Sequence, residues 1–78
     1  MAMSKHEQIL HAFTYHAPLP ESVPKFEKLR ERGRDLASLV AALVPDGREQ
    51  SVALTKIEEA IFWANAGIAR NQKPTGGS

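Results

Sequence analysis

The stretch "VPDGRE", Val44–Glu49, decides how this chain folds. On both sides of it the residues follow a helical period, which Pro45 and Gly47 interrupt briefly. Proline pushes the residue before it out of the helical region, and glycine accepts backbone conformations that other residues avoid. A break this short joins antiparallel helices. The pattern predicts a helical hairpin with arms over about 21–44 and 48–71.

In the first arm Phe26, Leu29, Gly33, Leu36, Val40 and Leu43 recur at spacings of three and four, a single apolar stripe. Pro24 falls in the first turn, where its missing N–H is no loss. Gly33 costs a helix interior about 1 kcal/mol against alanine. Its place on the stripe points to close approach of another helix or of a ligand. The second arm has one seam of Leu54, Ile57, Ile61, Ala64 and Ile68, and a neighbouring seam of Ala53, Ile57, Ala60, Ala64 and Gly67. The small side chains of the second seam let another backbone come near.

Upstream, Ser4 and Glu7 stand at capping-box spacing and predict a short helix over about 4–12. "HAPLP" (His16–Pro20) ends it. Downstream, "NQKPTGGS" is rich in turn formers and reads as a flexible tail over 72–78. The expected architecture is all-α: one domain over 1–71, with a short N-terminal helix and then a long antiparallel helical hairpin.

A chain of 78 residues has a marginal core, and small domains compensate with disulfides, metals or self-association. There is no cysteine, which excludes disulfides and thiolate metal sites. His6, His11 and His16 are spaced by five, not by the four of a helical ligand pair, so no metal and no cofactor is expected. Self-association remains. One hairpin partner cannot cover both seams together with Phe62, Trp63 and Leu39 or Val40, and exposed patches of that kind usually mark an interface. The expectation is a compact homo-oligomer; the alternative is an N-terminal segment folded back over the rings. No run approaches the roughly 20 apolar residues of a membrane span, and no signal peptide opens the chain, so we expect a soluble intracellular protein.

The first arm carries Lys25, Lys28, Arg30, Arg32 and Arg34 interleaved with Glu27, Glu31 and Asp35. Such runs are usually solvated faces. Arg30 and Arg34 nonetheless lie one turn apart, and guanidinium forks suit phosphate oxygens. The net charge of +1 argues against DNA or RNA polymers as partners. Catalysis has little support: Glu58 and Glu59 are adjacent and diverge, no histidine shares the helix of Ser51 and Thr55, and "PTGGS" opens no helix.

The segment "GREQSVALTKIEEAIFWANAGIARN" (Gly47–Asn71) resembles the helical-hairpin signature of phage proteins that sequester cyclic oligonucleotide immune signals, the anti-CBASS and related anti-Thoeris sponges. "YHAP" from Tyr15 and "KLRERG" from Lys28 to Gly33 extend the resemblance to about residues 13–71. It implies a small all-helical protein, often a homohexamer, with ligand pockets between protomers. Such a protein binds cyclic dinucleotides such as 3',3'-cGAMP, or cyclic trinucleotides, without cleaving them. It would act in the cytoplasm of the infected bacterial host. By the same resemblance the Tyr15 ring stacks on a base, and Arg30 meets a phosphate where many relatives have lysine. Arg32 and Arg70 are candidates for a second pocket, and His16 and Phe13 complete the candidate set. Each has a plainer alternative: Tyr15 capping the open end of the hairpin, His16 bonding locally, Phe13 packing. The alternative for the whole protein is an oligomeric helical hairpin that binds another protein and no nucleotide.

Overall fold

The computed structural model describes residues 3–73. It contains helix α1 (Lys5–Phe13), a 3-10 turn (Pro20–Ser22), helix α2 (Val23–Leu43) and helix α3 (Arg48–Arg70), and no strand among the described residues. The all-helical reading and the hairpin are borne out. Pro74 to Ser78, most of the expected tail, lie outside the described residues.

Local chemistry accounts for each boundary. The capping box forms at α1: the Glu7 N–H donates to Ser4 Oγ at 3.1 Å, and the Ser4 N–H donates to Glu7 Oε1 at 2.9 Å. The Ser4 backbone N–H, followed by the Ser4 hydroxyl, favours the charged Glu7 carboxylate and holds it below the usual glutamate range. Before α2, the "PES" segment turns once as a 3-10 helix, with the Ser22 N–H donating to the Leu19 carbonyl at 2.9 Å. The α-helix therefore starts at Val23, two residues after the start expected from the periodicity, and Pro24 still falls in its first turn. Val44 is extended ahead of Pro45, which ends α2. Gly47 then enters α3 with φ 155° and ψ −169°, a combination essentially confined to glycine. Gln50 ties the turn together by donating from Nε2 to the Val44 carbonyl at 2.9 Å.

The arms run antiparallel and cross closely at one point. Gly33 is buried there, and a Cβ on it would stand 2.8 Å from Ile61 Cγ1. This confirms that the glycine serves close helix packing. Gly67, on the small-residue seam, has open space where its Cβ would be. The seam of Leu54, Ile57, Ile61, Ala64 and Ile68 is half-buried along its length, whereas Leu36 and Leu43 of the α2 stripe are exposed. Phe62 and Trp63 are 63% and 64% exposed, so the N-terminal segment does not fold over them.

No hydrophobic side chain among the described residues is fully buried. The radius of gyration is 16.2 Å, against about 11.5 Å for a compact chain of this length. One copy of the hairpin lacks a closed core. No helix among the described residues is long and apolar enough to cross a membrane.

Candidate functional site

Three features meet near the open end of the hairpin. The first is the cationic face of α2. Arg30 and Arg34 lie one turn apart, as the spacing predicts, and share a concave surface with Glu27 and Glu31. Lys56 and Glu59 pair at 3.4 Å elsewhere on the hairpin, whereas neither Arg30 nor Arg34 is within ion-pair distance of a carboxylate among the described residues. An unpaired guanidinium keeps its planar fork of donors free for an incoming anion.

The second feature is a groove between the arms. Phe26, Glu27 and Arg30 of α2 face Asn65, Ala66 and Ala69 of α3, and His16, Pro18 and Val23 close one end. Its volume is about 500 Å³, within the roughly 300–1,000 Å³ of small-molecule sites. Its floor is apolar, and its polar groups are few: Arg30, Glu27, His16 and Asn65. The Asn65 Oδ1 is buried and has no hydrogen-bond partner.

The third feature is the strap that carries His16 and Pro18. Gln72 clasps it to the end of α3: Oε1 accepts from the Leu19 N–H at 2.7 Å, while Nε2 donates to the Ala17 and Ala69 carbonyls, both at 3.0 Å. The sequence reading assigned Gln72 to the tail; its side chain instead joins segments 53 to 55 residues apart. His16 Nε2 donates to the His11 carbonyl at 2.9 Å, and the two imidazoles meet edge-on with centroids 4.6 Å apart. This is the local bond weighed as the plainer role of His16, and it also orients the ring at the mouth of the groove. No group of three or more His, Cys, Asp or Glu among the described residues is placed to hold a metal ion.

Of the residues singled out from the sequence, Arg30 and His16 therefore line one groove. Arg32 does not join them. It lines the opposite face of the hairpin with Lys56, above Leu29, Leu36, Ile57 and Ala60. Phe13 and Tyr15 are 88% and 83% exposed and line neither groove within one chain. Arg70 is half-buried in the last turn of α3, also away from both grooves. Asn65, Phe26 and Gln72 were missed. A polar side chain one helical turn after Ile61 was the available signal for Asn65; nothing local in the sequence signals the Gln72 clasp.

No curated protein and no solved structure matches the chain. The family model described as Acb2/Tad1, hairpin domain, matches residues 5–69, which span α1, the strap and nearly all of the hairpin. The match covers far more than half of the sequence and includes every residue that lines the Arg30 groove. The chain belongs to the Acb2/Tad1 hairpin family, the anti-CBASS and anti-Thoeris sponges.

Proposed function

We propose that this protein is a non-catalytic sponge that binds cyclic di- or trinucleotides, such as 3',3'-cGAMP, and keeps them from a host anti-phage effector. Membership of the sponge family supports this reading. The observation that carries it is Arg30, an unpaired guanidinium at the side of an apolar groove of ligand size. A phosphate between the two arms would take charge-assisted hydrogen bonds from that fork, at about 1.5–3 kcal/mol for such a bond. Glu27 on the same wall works against an anion, so the net attraction is local and modest.

In this reading the Tyr15 ring, exposed within one chain, stacks on a base in a pocket completed by a second copy. Base–aromatic stacking contributes about 1–3 kcal/mol. Assembly as a homohexamer would bury Phe62, Trp63 and Leu43, and would supply the closed core that one hairpin lacks. A sponge works by mass action, so affinity and copy number matter and turnover does not. The proposed place of action is the cytoplasm of the infected bacterium, where the messenger and its effector meet.

A thermal-shift panel of cyclic di- and trinucleotides tests the reading. A ligand at 100 times its dissociation constant stabilises the folded protein by about 2.7 kcal/mol. The second reading, a hairpin module for another protein, draws on the exposed Phe62 and Trp63. It expects no shift anywhere in the panel, and that result would overturn the sponge.

A further inference from the structure

Among the five carboxamide side chains of this chain, Asn65 behaves differently from the rest. Gln8, Gln50, Asn71 and Gln72 each donate to a backbone carbonyl, at 3.1 Å to Met3, 2.9 Å to Val44, 2.7 Å to Gly67 and 3.0 Å to Ala17 respectively. The Asn65 amide makes no hydrogen bond to any described residue, although its Oδ1 is buried. A buried unpaired polar atom is destabilising. Alanine fills positions 60, 64, 66 and 69 of the same helix, and at position 65 it would avoid that penalty and favour the helix.

Asn65 lines the groove that also holds Arg30, on the opposite arm, and a turn of its side chain would bring the buried Oδ1 to a ligand there. We propose that Asn65 is a specificity-determining residue of this groove, pairing its carboxamide with the edge of a purine base while Arg30 holds a phosphate. This rests on the sponge reading. A carboxamide presents one acceptor and one donor side by side. That pair complements adenine, whose N6 amino group donates and whose N7 accepts. The corresponding edge of guanine offers only the acceptors O6 and N7, which leaves Oδ1 unmatched. The groove therefore favours adenine over guanine at this position.

The test is calorimetric titration of the full-length protein, Asn65→Leu and Asn65→Ala with cyclic di-AMP and with cyclic di-GMP, alongside melting of each unliganded protein. Leucine keeps the volume and removes both polar ends; alanine guards against a packing failure of leucine. The expected result is a loss of about tenfold or more in cyclic di-AMP affinity, with cyclic di-GMP binding nearly unchanged. The unliganded variants should melt at the wild-type temperature or higher, because an unpaired polar group has gone. Unchanged cyclic di-AMP affinity, or an equal loss for both ligands, would overturn the assignment. So would a lower melting temperature or a dissociated assembly, since Asn65 would then be a structural contact between copies. If the wild-type protein binds no cyclic nucleotide, the sponge reading falls and this assignment with it. If the wild type binds and the variants match it, Asn65 alone is wrong.

Discussion

Gly33 and Ile61 meet where α2 crosses α3, so closely that a single methyl group on Gly33 would lie 2.8 Å from Ile61 Cγ1 and 2.9 Å from its Cδ1. Those separations are too short for carbon atoms, and isoleucine is stiff about its first side-chain torsion. The crossing brings the arms together and so sets the width of the groove between Arg30 and Asn65.

Two opposing effects act on Gly33→Ala. Helix propensity favours alanine by about 1 kcal/mol, while overpacking costs about 1–3 kcal/mol. The clash should win, with net destabilisation of about 1 kcal/mol in denaturant unfolding. In an Ile61→Ala background the clash is gone, and the same substitution should become stabilising by about 1 kcal/mol. A Gly33→Ala effect of the same sign and size in both backgrounds would contradict the contact.

The Gln72 clasp predicts a coupled loss. Gln72→Ala removes all three bonds to Leu19, Ala17 and Ala69, and should cost about 1–3 kcal/mol. Amide exchange at Leu19 should accelerate, because its N–H loses the Gln72 acceptor. Gln72→Glu keeps that acceptor but cannot donate to the two carbonyls, so its effect should be intermediate. Unaltered exchange at Leu19 in Gln72→Ala would show that the strap is held by other contacts.

The absence of any fully buried hydrophobic side chain predicts assembly. Light scattering at micromolar concentration should give a species larger than a dimer, since the exposed Phe62, Trp63, Leu39 and Leu43 are not confined to one face. Trp63→Glu should dissociate it or prevent folding. A stable 8.6 kDa monomer would contradict the proposal.

Much of this fold was legible because it depends on local signals. The Ser4–Glu7 box, the break at Pro45 and Gly47, and the glycine on the α2 stripe each correspond to a feature of the backbone. The 3-10 turn at Pro20–Ser22 was not legible, since Glu21 and Ser22 suit either kind of helix. Leu36 and Leu43 lie on the stripe and are nonetheless exposed, because periodicity marks a face without saying what covers it. For the site, spacing placed Arg30 and Arg34 together, but it could not show which residues of α3 face them. That depends on the rotation of one helix against the other, fixed at Gly33 and Ile61. The Gln72 clasp joins residues more than fifty positions apart, and no local pattern encodes it.

The most direct test of the sponge reading is a calorimetric titration of the wild-type protein, Tyr15→Ala and Arg30→Ala with a cyclic dinucleotide that shifts the wild-type melting temperature. The account predicts saturable wild-type binding, with the ligand recovered intact after the protein is denatured. Each alanine variant should keep its fold and assembly and lose affinity: Tyr15→Ala by a stacking contribution of about 1–3 kcal/mol, Arg30→Ala by about 1.5–3 kcal/mol. Arg30→Lys should keep part of the binding, since it retains the charge without the fork. Wild-type affinity in both folded alanine variants would contradict the account, as would recovery of a linearised ligand.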